Sequence, residues 1–323
     1  MARQARQVRQ ERPAATPGAR RPIPGAVRWG IAGGLLAAVL GAGLPGAGAL
    51  LPAAAATETA VGAVTEAGTA AEPAAGTVSS AAARRVTLPP GNAPFDYQIG
   101  GAYRPARDVE VLARDRSDKP AAGRYTLCYV NAFQAQPEEL SWWQARHPDL
   151  LLKDRHGRHI VDGAWNEVLL DTSSAAKRTR LAAIVGKWID GCAKSRFQAV
   201  EPDNLDSFSR SKGYVSRADN TAFAALLAKR AHAAGLAIGQ KNTTTMLAVG
   251  KRVGFDFAVA EECGRYDECG AYRAVYGGRV FVIEYRHQDF TKACRAWGRT
   301  LSIVERNRDV RTPRASGYVR KAC

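Results

Sequence analysis

Between residues 95 and 304 the chain repeats one unit: a short β-prone run that turns polar or acidic at its end, then a loop, then in most units a stretch with helical spacing. The runs fall at 95–99, 125–130, 168–170, 199–201, 237–240, 257–260, 280–283 and 301–304. Helical spacing is clearest over 175–193, where Leu181, Ile184, Val185, Trp188 and Ile189 make one apolar stripe, and over 218–234, where Phe223, Leu226 and Leu227 recur before Gly235 stops the pattern. Strands alternating with helices imply a parallel sheet with right-handed crossovers, and eight such units suit a single closed (β/α)8 TIM barrel in the α/β class. An open doubly wound sheet is the alternative. No GxGxxG follows the first run, which disfavours its dinucleotide-binding form.

The chain ahead of the repeats has a different character. Arg20, Arg21 and Arg28 precede an apolar stretch over 31–55 that closes on Ala53, Ala54, Ala55 and Ala56, so 1–56 reads as an export signal cut near its end. An uncut membrane anchor is the competing reading, weakened by Pro45 and Pro52. Residues 57–85 are mostly Ala, Gly, Thr and Glu and bury too little apolar surface to offset their ordering entropy, so a disordered linker is expected there and the folded domain over 86–323. The net charge of +16 suggests nucleic acid until it is apportioned, since seven arginines and one glutamate stand in the first 56 residues. No Lys/Arg run interleaves with aromatics further on, which argues against nucleic-acid binding. A secreted monomer is expected, with a membrane partner only if the N-terminal segment stays uncut.

Six cysteines form an even set behind an export signal, which points to disulfides. Cys263 and Cys269 are spaced for a small loop, Cys294 with Cys323 would tie down the tail, and Cys128 and Cys192 remain to pair with each other. There is no CxxC, and no histidine stands at ligand spacing, so no metal and no cofactor are expected.

In a β/α barrel the chemistry lies where strand runs end. Here those positions are acidic: Glu201, Asp203 and Asp206 after the fourth run, Glu261 and Glu262 after the sixth, and Glu284 after the seventh. Lys241 and Asn242 follow the fifth. Asp171 follows the third and fits a cap for the next helix. A single acid after a strand is ordinarily a cap or a solvated loop residue. Several converging on one rim repel one another, a cost that function can justify, and paired carboxylates are what glycoside hydrolysis uses.

The order Glu201-Pro202-Asp203-Asn204-Leu205-Asp206 resembles the E-P-D-N-x-D signature of glycoside hydrolase family 114, the endo-α-1,4-polygalactosaminidases. Five further segments are similar to the family's in the same order: Ala231 to Leu236, Lys241-Asn242, Phe255 to Cys263, Tyr266 to Cys269, and Glu284-Tyr285. The resemblance implies a TIM barrel that cleaves an amino-sugar polysaccharide with Asp203 and Glu261 as the catalytic pair. Many barrel glycosidases instead place their pair at strands four and seven, which here would be Glu201 with Glu284. Glu201, Asn204, Asp206, Lys241, Asn242, Glu284, Tyr97, Tyr129 and Tyr285 are the candidate substrate contacts. Trp142, Trp143, Trp165 and Tyr266 are further aromatics able to stack on sugar faces. The chain departs from the family at Thr243, at the first run Phe95-Asp96-Tyr97-Gln98, and at Tyr129 to Phe133. A cationic polymer would be drawn to this acidic rim although the whole protein is basic. His232, inside a helical pattern, reads as structural. The rival function is a non-catalytic carbohydrate-binding protein on the same scaffold.

Overall fold

A computed structural model of the chain describes residues 85–323. The expected signal segment and all but the last residue of the linker lie outside the described residues. No helix among the described residues is long and apolar enough to cross a membrane.

Eight parallel strands follow one another in chain order: β1 (Phe95–Gln98), β2 (Val111–Asp115), β3 (Tyr125–Asn131), β4 (Ala199–Asp203), β5 (Ala237–Lys241), β6 (Phe257–Glu261), β7 (Val280–Glu284) and β8 (Ser302–Arg306). β1 lies beside β8, and a ninth strand, β9 (Arg320–Ala322), pairs antiparallel with β8 at this seam. The result is the expected barrel.

One strand differs from expectation. The run at 168–170 does not enter the barrel. Glu167–Leu169 pairs with Gln134–Ala135 and Val161–Asp162 in a small antiparallel sheet inserted after β3. β2 takes its place, with the sequence Val-Leu-Ala-Arg-Asp. Its Arg114 breaks the apolar pattern yet is buried, because Gln98 Oε1 and the Tyr103 and Lys119 carbonyls accept its guanidinium N–H groups. No helix separates β1 from β2 or β2 from β3.

The helices are α1 (Leu140–Arg146), α2 (Ala175–Lys194), α3 (Arg217–Ala233), α4 (Leu247–Val253), α5 (Cys269–Tyr276) and α6 (His287–Trp297). α2 buries Leu181, Val185 and Ile189 against the sheet, each worth about 1.5–3 kcal/mol. Its cap is Ser174 rather than Asp171. Asp171 Oδ1 instead accepts from the Ser173 N–H two residues on, while its other oxygen meets the Lys177 ammonium. α3 opens on a capping box of Ser216 and Asp219, and Gly235 at φ +81° ends it. His232 hydrogen-bonds Asp256 at 2.9 Å, a structural contact.

All three disulfides pair as expected: Cys128–Cys192, Cys263–Cys269 and Cys294–Cys323. The first spans 64 residues and ties β3 to the end of α2, worth about 4 kcal/mol if it acts by restricting the unfolded chain.

Candidate active site

Strand parity builds the site. Along a strand alternate side chains face the barrel axis, and Phe95, Tyr97, Val111, Ala113, Leu127, Ala199, Ala237, Phe257, Val259, Phe281 and Ile283 pack together there. Continuing each strand upward by twos brings Tyr129, Glu201, Asp203, Lys241 and Glu261 to the same axis at the strand ends. Gly239 makes room below them, since a Cβ at that position would meet the Phe257 ring at 2.5 Å. Glu284 has the other parity. It shares the face of Val280 and Val282, which pack outward against the helices.

Lys241 is the hub. Its Nζ lies 3.1 Å from Glu201 Oε1, 3.1 Å from Asp203 Oδ1, 3.4 Å from Glu261 Oε2 and 3.1 Å from the Tyr97 hydroxyl. Tyr97 in turn donates to Glu201 Oε1 at 2.8 Å. Each of the two upper acids then has its own clamp. Tyr129 O–H and the Asn204 N–H both donate to Asp203 at 2.7 Å. Tyr285 O–H donates to Glu261 Oε1, and Asn242 Nδ2 donates to Glu261 Oε2 at 3.0 Å. The chain turns sharply after each strand: Asn204, Asn242 and Glu262 all have positive φ, a conformation asparagine accepts more readily than most residues.

These surroundings separate the acids. For Asp203, burial opposes ionisation, but the Lys241 ammonium, the Tyr129 hydroxyl and the Asn204 N–H outweigh it and hold the carboxyl below its usual range. Glu201 is fully buried, and burial pushes its carboxyl up to about 7 despite the Lys241 charge. Burial would strip the proton from Lys241, but Asp203, Glu261 and Glu201 keep it an ammonium. The Tyr97, Tyr129 and Tyr285 phenols are driven up by burial and then by the neighbouring carboxylates, so they remain donors.

Above the hub opens a cavity of about 330 Å³. Of the candidate residues, Asp203, Glu261, Asn204, Asp206, Asn242, Tyr129 and Tyr285 line it. Tyr97, Glu201 and Lys241 lie beneath its floor. Glu284 lies outside it, behind the Cys263–Cys269 loop, where its Oε1 accepts from the Gly264 N–H at 2.7 Å and burial raises its carboxyl to about 7. Glu262 and Asp267 pair with Arg265 and Lys292 and do not line the cavity. Among the described residues the grouping of potential metal-ligating atoms is Cys263, Cys269 and Glu284, and the disulfide occupies both sulfurs.

The inserted sheet supplies a wall that holds Trp165, already a stacking candidate from the sequence, and the acids Asp162 and Glu167, which the sequence reading missed along with Arg210 from the loop after β4. Arg210 pairs with Asp162 at 2.9 Å and Asp206 at 2.8 Å. Trp165 is 49% exposed, and the Arg308 guanidinium stacks on its ring at 5.2 Å. Glu167 stands just before the run at 168–170, where barrel logic expects no chemistry. Of the paired tryptophans, Trp143 is buried and Trp142 faces outward.

A parallel barrel whose strand ends carry two hydrogen-bonded carboxylates in one cleft has the layout of a glycoside hydrolase. The model of glycoside-hydrolase family GH114 matches residues 75–323, and the chain belongs to that family. It is thus a glycoside hydrolase. No curated protein matches the chain. Among solved structures, the fold is similar to that of Ega3 from Aspergillus fumigatus in complex with galactosamine, at 22% identity and a TM-score of 0.59, covering 74% of this chain and 98% of that one. It is also similar to a variant of the glycoside hydrolase domain of PelA from Pseudomonas aeruginosa, at 16% identity and a TM-score of 0.50, covering 70% of this chain and 97% of that one.

Proposed function

We propose that this hydrolase is exported and cuts within chains of an α-1,4-linked, galactosamine-containing polysaccharide, with Asp203 and Glu261 as its catalytic pair. The observation that carries the pairing is the shared Lys241 Nζ, 3.1 Å from one carboxylate and 3.4 Å from the other. Two oxygens on one ammonium are closer together than the sum of those distances. That favours the retaining geometry of about 5–5.5 Å over the inverting one, which begins near 6.5 Å.

In this reading Asp203, held ionised by Lys241 and Tyr129, attacks the anomeric carbon as the Asp203–glycosyl bond forms. Glu261, entering the step in its protonated form, gives that proton to the glycosidic oxygen as the bond from this oxygen to the anomeric carbon breaks. Water then attacks the glycosyl-enzyme, Glu261 takes its proton, and Asp203 departs as the carboxylate. Burial of Lys241 keeps its field concentrated on the two acids. Trp165 offers a face for a neighbouring sugar ring. The acids of the cleft suit a cationic polymer, and galactosamine is the sugar bound in the Ega3 structure. The three disulfides and the apolar stretch over 31–55 support export.

The test is release of oligosaccharides from partly deacetylated α-1,4-galactosaminan by the secreted protein, whose mass should begin near Thr57. Release of short chains of mixed length, with no monosaccharide at early times, is the expected result. A protein that binds the polymer without shortening it would overturn the proposed substrate.

A further inference from the structure

Seven acids line the cavity: Asp115, Asp162, Glu167, Asp203, Asp206, Glu261 and Asp309. Five have a protein cation. Asp203 and Glu261 share Lys241, Asp162 and Asp206 share Arg210, and Asp309 pairs with Arg311. Asp115 turns its Oδ1 onto the backbone and hydroxyl of Ser117 at the outer edge. That leaves Glu167. It is more than nine-tenths buried, and among the described residues no cation pairs with it. Its partners are neutral amides: Gln134 Nε2 donates to Oε2 at 2.7 Å and Asn204 Nδ2 at 3.3 Å.

A buried carboxylate is costly unless a positive charge meets it. Burial raises the Glu167 carboxyl, the Asn131 and Gln134 amides lower it, and Asp203 and Asp162 raise it again. Two neutral donors orient the group, and the Arg210 guanidinium that they in turn accept from is already paired with Asp162 and Asp206. Asn204 also fixes where that charge stands relative to the chemistry, because its side chain reaches Glu167 while its backbone N–H holds Asp203 Oδ1.

We infer that Glu167 is a specificity-determining residue, the counter-ion for the free ammonium of the amino sugar seated next to Asp203. The inference rests on the amino-sugar reading of the substrate and adds to it the residue that distinguishes a free amine from an acetamide. The ammonium completes the missing ion pair, as a charge-assisted hydrogen bond in a site shielded from water. An acetamide is neutral there and leaves the carboxylate uncompensated.

Glu167→Gln keeps an acceptor for Asn204 and Gln134 and removes only the charge. Kinetics are measured on two polymers, fully deacetylated and fully N-acetylated α-1,4-galactosaminan, with melting temperature as the control for folding. The variant is expected to raise KM on the deacetylated polymer tenfold or more with kcat within about threefold. On the acetylated polymer kcat/KM stays level or rises. The salt dependence of KM on the charged polymer should also weaken in the variant. Equal losses on both polymers, or no change on either, would overturn the role of Glu167 while leaving the substrate reading intact. A wild-type protein that cleaves neither polymer, or only the acetylated one, would overturn both.

Discussion

The barrel holds two buried knots of charge, and they are built in opposite proportions. At the seam between β1 and β8, Asp96 meets two arginines, Arg306 at 3.3 Å and Arg320 at 3.5 Å, with Asp96 and Arg306 both fully buried. Tyr103 and Gln98 each donate to its other oxygen at 2.8 Å. That carboxylate is saturated, and the knot joins the first and last strands. At the mouth one lysine serves three carboxylates, with Glu167 a further acid lacking a cation. The first arrangement closes a fold. The second has negative charge left over and opens onto a cavity, which suits a positively charged ligand rather than stability alone.

Breaking the mouth should have the largest effect. Lys241→Met removes the ammonium that keeps Asp203 ionised, so kcat should fall about 10²–10³-fold. The sign of the pH response is fixed by the depressed carboxyl. Activity that needs ionised Asp203 survives to low pH in the wild type and is lost as pH falls through that lowered value, so in the variant the acid limb of kcat/KM should move to higher pH. A pH–rate profile whose acid limb stays in place would show that the two knots do not differ in this way.

Breaking the seam should act on stability and leave chemistry alone. Arg306→Met strands part of the Asp96 charge and should cost about 3–5 kcal/mol in denaturant unfolding, with kcat unchanged below the melting transition. Loss of activity in a still-folded variant would blur the contrast.

A smaller effect sharpens it. Burial raises Glu201 and Glu284 from 4.5 to about 7, so the folded protein keeps protons that the unfolded chain releases in that interval. Their contribution to stability is greatest below pH 4.5 and declines as pH rises through about 7. Glu284→Gln should therefore lose less stability than the wild type between pH 5 and 8, by on the order of 1–3 kcal/mol in unfolding midpoints converted to free energy. Equal losses would mean that Glu284 is not the buried acid it resembles.

Much of this was legible from residues. The strand ends at Glu201, Asp203, Lys241 and Glu261 stand out because apolar runs stop there, and cysteine spacing pointed to Cys263–Cys269, while the other two pairs followed from the C-terminal tail and from what remained. Parity was also readable and settles where Glu284 points: counting by twos from Phe281 and Ile283 along β7 leaves it on the outer face. Two things were hidden. β2 carries a buried arginine whose partners, Gln98 and the Tyr103 and Lys119 carbonyls, come from neighbouring loops, so its own residues do not read as a strand. The wall draws Arg210 from the loop after β4, and Asp162 and Glu167 from an insertion whose short strands mimic a barrel run. Its acids lie at places set by tertiary packing rather than by any strand-end rule.

The central claim is that Asp203 and Glu261 act as one catalytic unit. It is tested most directly by comparing oligosaccharide release for the wild type, Asp203→Asn, Glu261→Gln and the double variant, all with matched melting temperatures. Residues that work in a single step are not additive. The expected result is a loss of at least about 10³-fold in each single variant, with the double variant little worse than the slower of the two. Losses that multiply in the double variant, or a single variant retaining near wild-type rates, would contradict the account.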